Sequence, residues 1–340
     1  MKRVVTVFGG SGFIGRHLVR RLAATGSEVR IAVRDTEAAM FLKVAGAPGQ
    51  IALWATDVTD AEQVATAVAG ADIVINLIGI LYESGRNSFE AIHTEAAGNI
   101  AQAARAAGAS RLIHVSALSA DAEAAAVYAR TKAAGEEAVL SAFGGATIIR
   151  PSVVFGPDDN FFNMFAGYTR LSPVLPVFGC PLIPTMSVKG EDGNLSLDVN
   201  LYGDGGTRFQ PVYVGDVADA IMAVLDDSAA QSKTYELGGP QVYSFKQIMD
   251  LVLTHTGRHR FLAPMPFGLT KFYAFFLQML PKPLLTCDQV ELLKVDNVVA
   301  SNSLGFKDLG IAPVTAESIL PTYLHRFRTP TGRSAMANGH

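Results

Sequence analysis

The residues best suited to chemistry open the chain. Gly9-Gly10-Ser11-Gly12-Phe13-Ile14-Gly15 follows the β-branched run Val4-Val5-Thr6-Val7-Phe8. It precedes Arg16-His17-Leu18-Val19-Arg20-Arg21-Leu22, whose apolar residues have helical spacing. Gly10, Gly12 and Gly15 fit G-x-G-x-x-G, and Gly9, Gly12 and Gly15 fit G-x-x-G-x-x-G. A strand, glycine turn and helix in this order bind a pyrophosphate. One glycine bends the chain off the strand, one lets the phosphates reach the backbone, and one lets the helix pack close. The helix start offers free N–H groups and a positive dipole end. Gly9, Gly10, Ser11, Gly12, Phe13, Ile14, Gly15 and Arg16 are therefore expected to contact a dinucleotide.

The second chemical signal is Tyr128-Ala129-Arg130-Thr131-Lys132. On a helix, residues i and i+4 share a face, which puts Lys132 one turn from Tyr128. A cation there is expected to lower the phenol's pKa, making Tyr128 a candidate acid–base group, and Lys132 can also hold the nicotinamide ribose. Arg34, at the end of the second strand, lies where the adenosine ribose would sit. An acid there binds the 2′-hydroxyl and an arginine pairs with a 2′-phosphate, so Arg34 favours NADP(H). Asp35 is close enough to serve as the acid and keeps NAD(H) open. Asp57 and Val58 follow the third strand, where the carboxylate could meet the adenine amino group or simply favour the next helix's N-terminus. Leu77, Ile78 and Gly79 end the fourth strand at the carboxyl edge, where ligands of such sheets bind.

Elements that could position these groups alternate along the first half. Strands are expected at Glu28–Arg34, Ile51–Ala55, Ile73–Leu77, Arg111–Val115 and Ala146–Arg150. Helices are expected at Ala91–Ala107 and Tyr128–Phe143, with another opened by a capping box at Thr59-Asp60-Ala61-Glu62. This pattern predicts an α/β fold with a doubly wound parallel Rossmann sheet. After Pro151 the alternation breaks. Val188–Gly206 reads as an inserted hairpin or surface loop, Gln210–Val214 as a strand returning to the sheet, Asp216–Leu225 as a helix and Thr234–Leu237 as a short strand. Ser244-Phe245-Lys246-Gln247 and Thr286-Cys287-Asp288-Gln289 each open a helix, and Thr315–Phe327 is the last one. The expected organisation is a dinucleotide-binding domain over 1–156 and 208–239 and a smaller, mostly helical domain over 157–207 and 240–327. A small, polar, disordered tail is expected over 328–340. Residues 263–280 form the most apolar stretch, with Phe272, Phe275, Phe276 and Met279 at helical spacing. They read either as a core helix of the second domain or as a surface helix that docks on a partner or membrane interface.

Bulk properties narrow the function classes. Hydrophobic residues make up 49% and charged residues 17%, enough for a large core. A net charge of −3 gives no electrostatic reason to expect nucleic acid. The two cysteines, Cys180 and Cys287, form no C-x-x-C pair, so no metal site or disulfide framework is expected. A first strand at Val4 leaves no room for a leader, and no run is long enough to span a bilayer, which predicts a cytoplasmic protein.

The chain resembles the short-chain dehydrogenase/reductase superfamily, of its extended or atypical kind, over residues 1 to about 327. The resemblance rests on Gly9–Gly15, Asp57-Val58, Tyr128 with Lys132, Arg150-Pro151-Ser152-Val153-Val154-Phe155-Gly156-Pro157 and Gln210-Pro211-Val212-Tyr213-Val214-Gly215-Asp216-Val217-Ala218. It adds Ser116, Pro151 and Val154 to the residues expected along the cofactor. A narrower resemblance, carried by His114–Ala120, Ala134-Gly135-Glu136, Phe155–Asn163 and the Gln210 stretch, is to the Rossmann-fold accessory subunit family of respiratory complex I. That resemblance implies tightly held NADPH without turnover, and partners among respiratory-complex or quinone-biosynthesis proteins. It also implies a peripheral place on the cytoplasmic face of the inner membrane. One departure matters. The superfamily's catalytic Ser or Thr falls at Ala117, and Ser116, one residue away on a strand, faces the other side. Losing such a donor costs about 2.7–4 kcal/mol in a transition state. The competing expectation is an active NADP-dependent oxidoreductase or epimerase on a nucleotide-sugar, steroid-like or isoprenoid substrate, resting on the intact Tyr128–Lys132 pair.

Overall fold

The computed structural model describes residues 2–181, 185–191 and 194–328. The strands of the first half are β1 (Val4–Phe8), β2 (Glu28–Val33), β3 (Ile51–Ala55), β4 (Ile73–Asn76), β5 (Arg111–Val115) and β6 (Thr147–Pro151). Its helices are α1 (Phe13–Ala24), α2 (Ala61–Val68), α3 (Ala96–Ala106) and α4 (Val127–Ala142). The second half adds β7 (Val154–Phe155), α5 (Phe162–Leu171), β8 (Val174–Phe178), β9 (Thr185–Glu191), β10 (Asn194–Asn200), β11 (Arg208–Phe209), β12 (Val212–Tyr213) and α6 (Val214–Asp226). It continues with β13 (Thr234–Leu237), β14 (Tyr243–Ser244), α7 (Phe245–Thr256), β15 (Phe261–Met265), α8 (Phe267–Leu277), α9 (Cys287–Leu292) and α10 (Ala316–Leu324).

Seven strands form one parallel sheet in the order β13-β6-β5-β4-β1-β2-β3. The order reverses beside β1, which lies between β4 and β2 and so opens a crevice at its carboxyl end. Burial explains the near-unbroken apolar strands. Leu18, Val19 and Leu22 of α1 pack with Val217, Ile221 and Val224 of α6 on one face. Val64 of α2, Ile100 of α3 and Val139 of α4 cover the other. A third cluster gathers Phe155, Phe162, Phe165, Phe245, Leu320 and Tyr323 around α5, α7 and α10. The β9–β10 hairpin stands where the polar insertion was expected. The tail from 329 onward lies outside the described residues.

Two local expectations are corrected. The cap of α2 is Asp60, not Thr59: Asp60 Oδ1 accepts from the Glu62 and Gln63 N–H groups at 3.0 and 3.2 Å. This places Glu62 too early to close a capping box, and the Gln63 side chain instead accepts from Asp57 N at 2.9 Å. The stretch Gln210–Val214 does not return to the main sheet. Only Val212 and Tyr213 pair, with Val154 and Phe155, because β13 already occupies the edge beside β6. Pro211 has no N–H to offer a ladder, and the Gln210 side chain holds Gly239 O and Val299 N instead.

Candidate dinucleotide site

The glycine turn is shaped by backbone crowding. Gly9 has φ +77°, the left-handed region that glycine enters freely. A Cβ on Gly10 would stand 2.7 Å from the Ile31 side chain. One on Gly15 would stand 2.6 Å from the backbone carbonyl carbon of Gly10 and would also strike Gly9 O. α1 can therefore lie against the turn only because Gly15 has no side chain. Gly12 caps α1 without a side-chain bond, so the first-turn N–H groups face the turn's mouth. Ser11, Phe13, Ile14 and Arg16 are half-buried around it.

Close approaches place the segment after β4 between this turn and the Tyr–Lys pair. A Cβ on Gly9 would meet Leu77 C and Ile78 N at 3.3 and 3.4 Å, which puts the segment after β4 beside the turn. A Cβ on Gly79 would lie 3.0 Å from Lys132 Nζ. Asn76 fixes this segment from below: its Oδ1 accepts from Ile78 N at 3.0 Å and its Nδ2 meets His114 Nδ1 at 3.1 Å. The far wall carries Val154 and the loop after it. The Phe13 ring would stand 3.2 Å from a Cβ on Gly156, and Arg16 pairs with Asp158 at 2.9 Å. Arg16 is thus committed to a carboxylate rather than standing free as a second phosphate-binding charge. Asp159 explains the Gly156-Pro157-Asp158-Asp159-Asn160 sequence: it accepts from Gly156, Phe161 and Asn163 N–H groups and from the Tyr323 hydroxyl.

Tyr128 and Lys132 share a face of α4, as their spacing requires. The expected fall in the phenol's pKa is corrected. Burial pushes Tyr128 up to about 12 and Lys132 down to about 8. Desolvation alone raises the phenol, and at Lys132 it outweighs the opposing charge of Glu136 one turn on, which Arg150 also holds through two bonds of 2.9 and 2.6 Å. Tyr128 packs edge-on against His93 and Phe89, with ring centroids 5.2 and 5.8 Å away. His93 lies in a π-helical turn over Glu90–Glu95 that the sequence reading missed by extending α3 back to Ala91. Its Nε2 accepts from Ile80 N at 3.1 Å and its Nδ1 meets Thr131 Oγ1 at 3.1 Å. Burial, then the Lys132 charge, push its pKa down to about 3, so the ring is neutral.

The remaining expected residues fall in three places. Ser116 follows β5 and Pro151 ends β6, both at the carboxyl edge of the sheet. Ser116 is 5% exposed, and its hydroxyl has no hydrogen-bond partner among the described residues. Ala117 follows and supplies no hydroxyl. Arg34 is exposed past β2, while Asp35 spends its carboxylate on Ala38 N at 2.9 Å. Asp57 accepts from Thr59 N and Oγ1 at 3.0 and 2.8 Å, bonds that hold it below the usual carboxylate range, and Val58 is buried. The side-chain-free cradle at Gly10, Gly12 and Gly15, the close approach of Lys132 to Gly79 and the orphaned Ser116 hydroxyl together fit a nicotinamide dinucleotide.

Residues 5–238 match the NAD dependent epimerase/dehydratase family. The chain belongs to that family. Among its curated relatives is the mitochondrial NADH dehydrogenase [ubiquinone] 1 alpha subcomplex subunit 9 of Arabidopsis thaliana, 35% identical over 96% of this chain and 78% of that protein. The 40 kDa subunit of mitochondrial NADH-ubiquinone oxidoreductase from Neurospora crassa is 32% identical over 95% of this chain and 79% of its own length. Among solved structures, Thermus thermophilus UDP-glucose 4-epimerase in complex with NAD shares the fold at a TM-score of 0.63, with 20% identity over 96% of this chain and 99% of that one. In this family member the segment over 263–280 is not a core helix. Phe272, Tyr273, Phe275, Phe276 and Met279 of α8 and the residues after it are 50–67% exposed. Among the described residues no helix is long and apolar enough to cross a membrane.

Proposed function

We propose that this protein holds NADP(H) as a resident, non-catalytic cofactor. In this reading it is an accessory or assembly subunit of respiratory complex I or a quinone-associated complex, peripheral on the cytoplasmic face of the inner membrane. The observation that carries the reading is a complete clamp without the means to polarise a carbonyl. Tyr128 and Lys132 stand at the cleft, yet Ala117 has no hydroxyl and the Tyr128 phenol is pushed up to about 12. A proton donor so far from neutrality is a weak general acid. The bound nicotinamide would supply hydride chemistry; these residues supply grip on the ribose. The relatives of 35% and 32% identity, both named as complex I subunits, support the partner. The exposed aromatic face of α8 supports a docking role. Arg34 supports NADP(H), because Asp35 is occupied by its own turn.

Affinity purification of the tagged full chain from membranes tests this reading. Respiratory-complex subunits should co-purify, one equivalent of NADP(H) should be released on denaturation, and Phe272→Ser with Phe276→Ser should reduce the co-purification. Rapid multi-turnover oxidation of NADPH by a carbonyl or sugar substrate would falsify it. That result would favour instead the active oxidoreductase that the intact Tyr128–Lys132 pair permits, and Tyr128→Phe should then abolish turnover while sparing binding.

A further inference from the structure

α9 is tied to the cleft by the side chains of Asp288 and Gln289. Its N-terminus is closed by Thr286 and Gln289, each accepting from the other's N–H at 3.1 Å. That leaves the Asp288 carboxylate free to reach another element. Its oxygens accept from Val127 N at 2.6 Å and from Tyr128 N at 3.1 Å. The residue before α4 is Ala126, which offers no side-chain cap, so Asp288 supplies from 160 residues away what the local sequence lacks. Gln289 Nε2 donates to Leu81 O at 3.3 Å. Tyr128 and the segment through Leu81 are the two walls of the crevice at the Lys132 end. α9 therefore grips both.

We propose that Asp288 is a positioning residue for the nicotinamide end of the site. It holds the first turn of α4, and with it Tyr128 and Lys132, at the distance from Gly79 that the cofactor requires. The proposal rests on reading the crevice as a dinucleotide site. It makes the C-terminal region part of the clamp rather than an appendage. α9 in turn is fastened to α8, through Lys271 and Glu291 at 2.7 Å and Gln278 Oε1 accepting from Cys287 N at 3.3 Å. Because such coupling is reciprocal, any molecule that shifts α8 and α9 also shifts the hold on the nicotinamide ribose.

The test compares two probes on the full chain, NADPH and adenosine 2′,5′-bisphosphate, which lacks the nicotinamide half. Losing a helix cap of this kind should weaken NADPH binding by Asp288→Ala about tenfold. Binding of the bisphosphate should stay within about twofold, since its contacts lie at the glycine turn and Arg34. Asp288→Asn keeps an acceptor but loses the charge, and should weaken NADPH alone by about threefold. It carries the same comparison if the alanine variant does not fold. Equal weakening of both probes, or undiminished NADPH binding, overturns the assignment. Failure of the unaltered chain to bind either probe overturns the dinucleotide reading instead.

Discussion

Replacing Lys132 by Met should make the protein more stable and a poorer binder at once. Lys132 is 4% exposed, and burial, opposed in part by Glu136, pushes its pKa from 10.5 down to about 8. That displacement corresponds to about 3 kcal/mol held against the folded state. The sign follows from proton counting. Below pH 8 the folded and unfolded chains both carry the proton, so the cost of burying the charge is fully present. Between pH 8 and 10.5 the unfolded chain binds more protons, and stability rises with pH as the folded amine becomes neutral. Methionine fills similar space without charge. Urea unfolding of nucleotide-stripped protein should therefore place Lys132→Met about 2–3 kcal/mol above the parent at pH 7, with the margin shrinking by pH 9.5. NADPH affinity should fall at least tenfold in the same variant, because the ammonium that meets the ribose is gone. A variant less stable than the parent at pH 7, or a margin equal at both pH values, would refute the reasoning.

Two further substitutions probe the other end of the site. Gly15→Ala would put a methyl 2.6 Å from the Gly10 backbone, so α1 must retreat by most of an ångström. Overpacking of about 1–3 kcal/mol should outweigh the roughly 1 kcal/mol gained in helix propensity, and the loss of dinucleotide binding should be steeper than the loss of stability. An unchanged melting temperature with unchanged binding would show that the turn is not closed as described. Arg34→Ala should lower affinity for NADPH while leaving NADH within about twofold, as paired titrations would reveal; equal losses would remove Arg34 from the 2′-phosphate.

The doubly wound parallel class of the central sheet was legible because its signals are local. A glycine turn between a β-branched run and a helical one needs no distant information, and neither does the i, i+4 spacing of Tyr128 and Lys132. What escaped the sequence depends on partners far along the chain. The phenol's pKa was misjudged because the i, i+4 spacing shows the cation but not the burial, built by packing across the fold, that raises Tyr128. The π-helical turn at His93 was hidden inside an alanine-rich helical pattern, although a histidine amid alanines was a signal that could have been followed. Asp288 looks like an ordinary first-turn acid of α9, and nothing near it in sequence says that it caps α4. Residues 263–280 left two readings open because apolar spacing fixes a helix but not what covers it. The exposure of Phe272 and Phe276 removes the core-helix reading.

The seventh strand of the sheet also sets an order of events during synthesis. β13 pairs with β6 through Thr234 beside Ile148, yet residues 152–233 are translated between them. As the chain leaves the ribosome, the Thr147-Ile148-Ile149 edge stands open, an apolar strand with unpaired backbone groups that invites wrong pairing. The nascent nucleotide-binding half must wait for its last strand, so an early stop codon anywhere before Thr234 should yield an aggregating fragment rather than a smaller working domain.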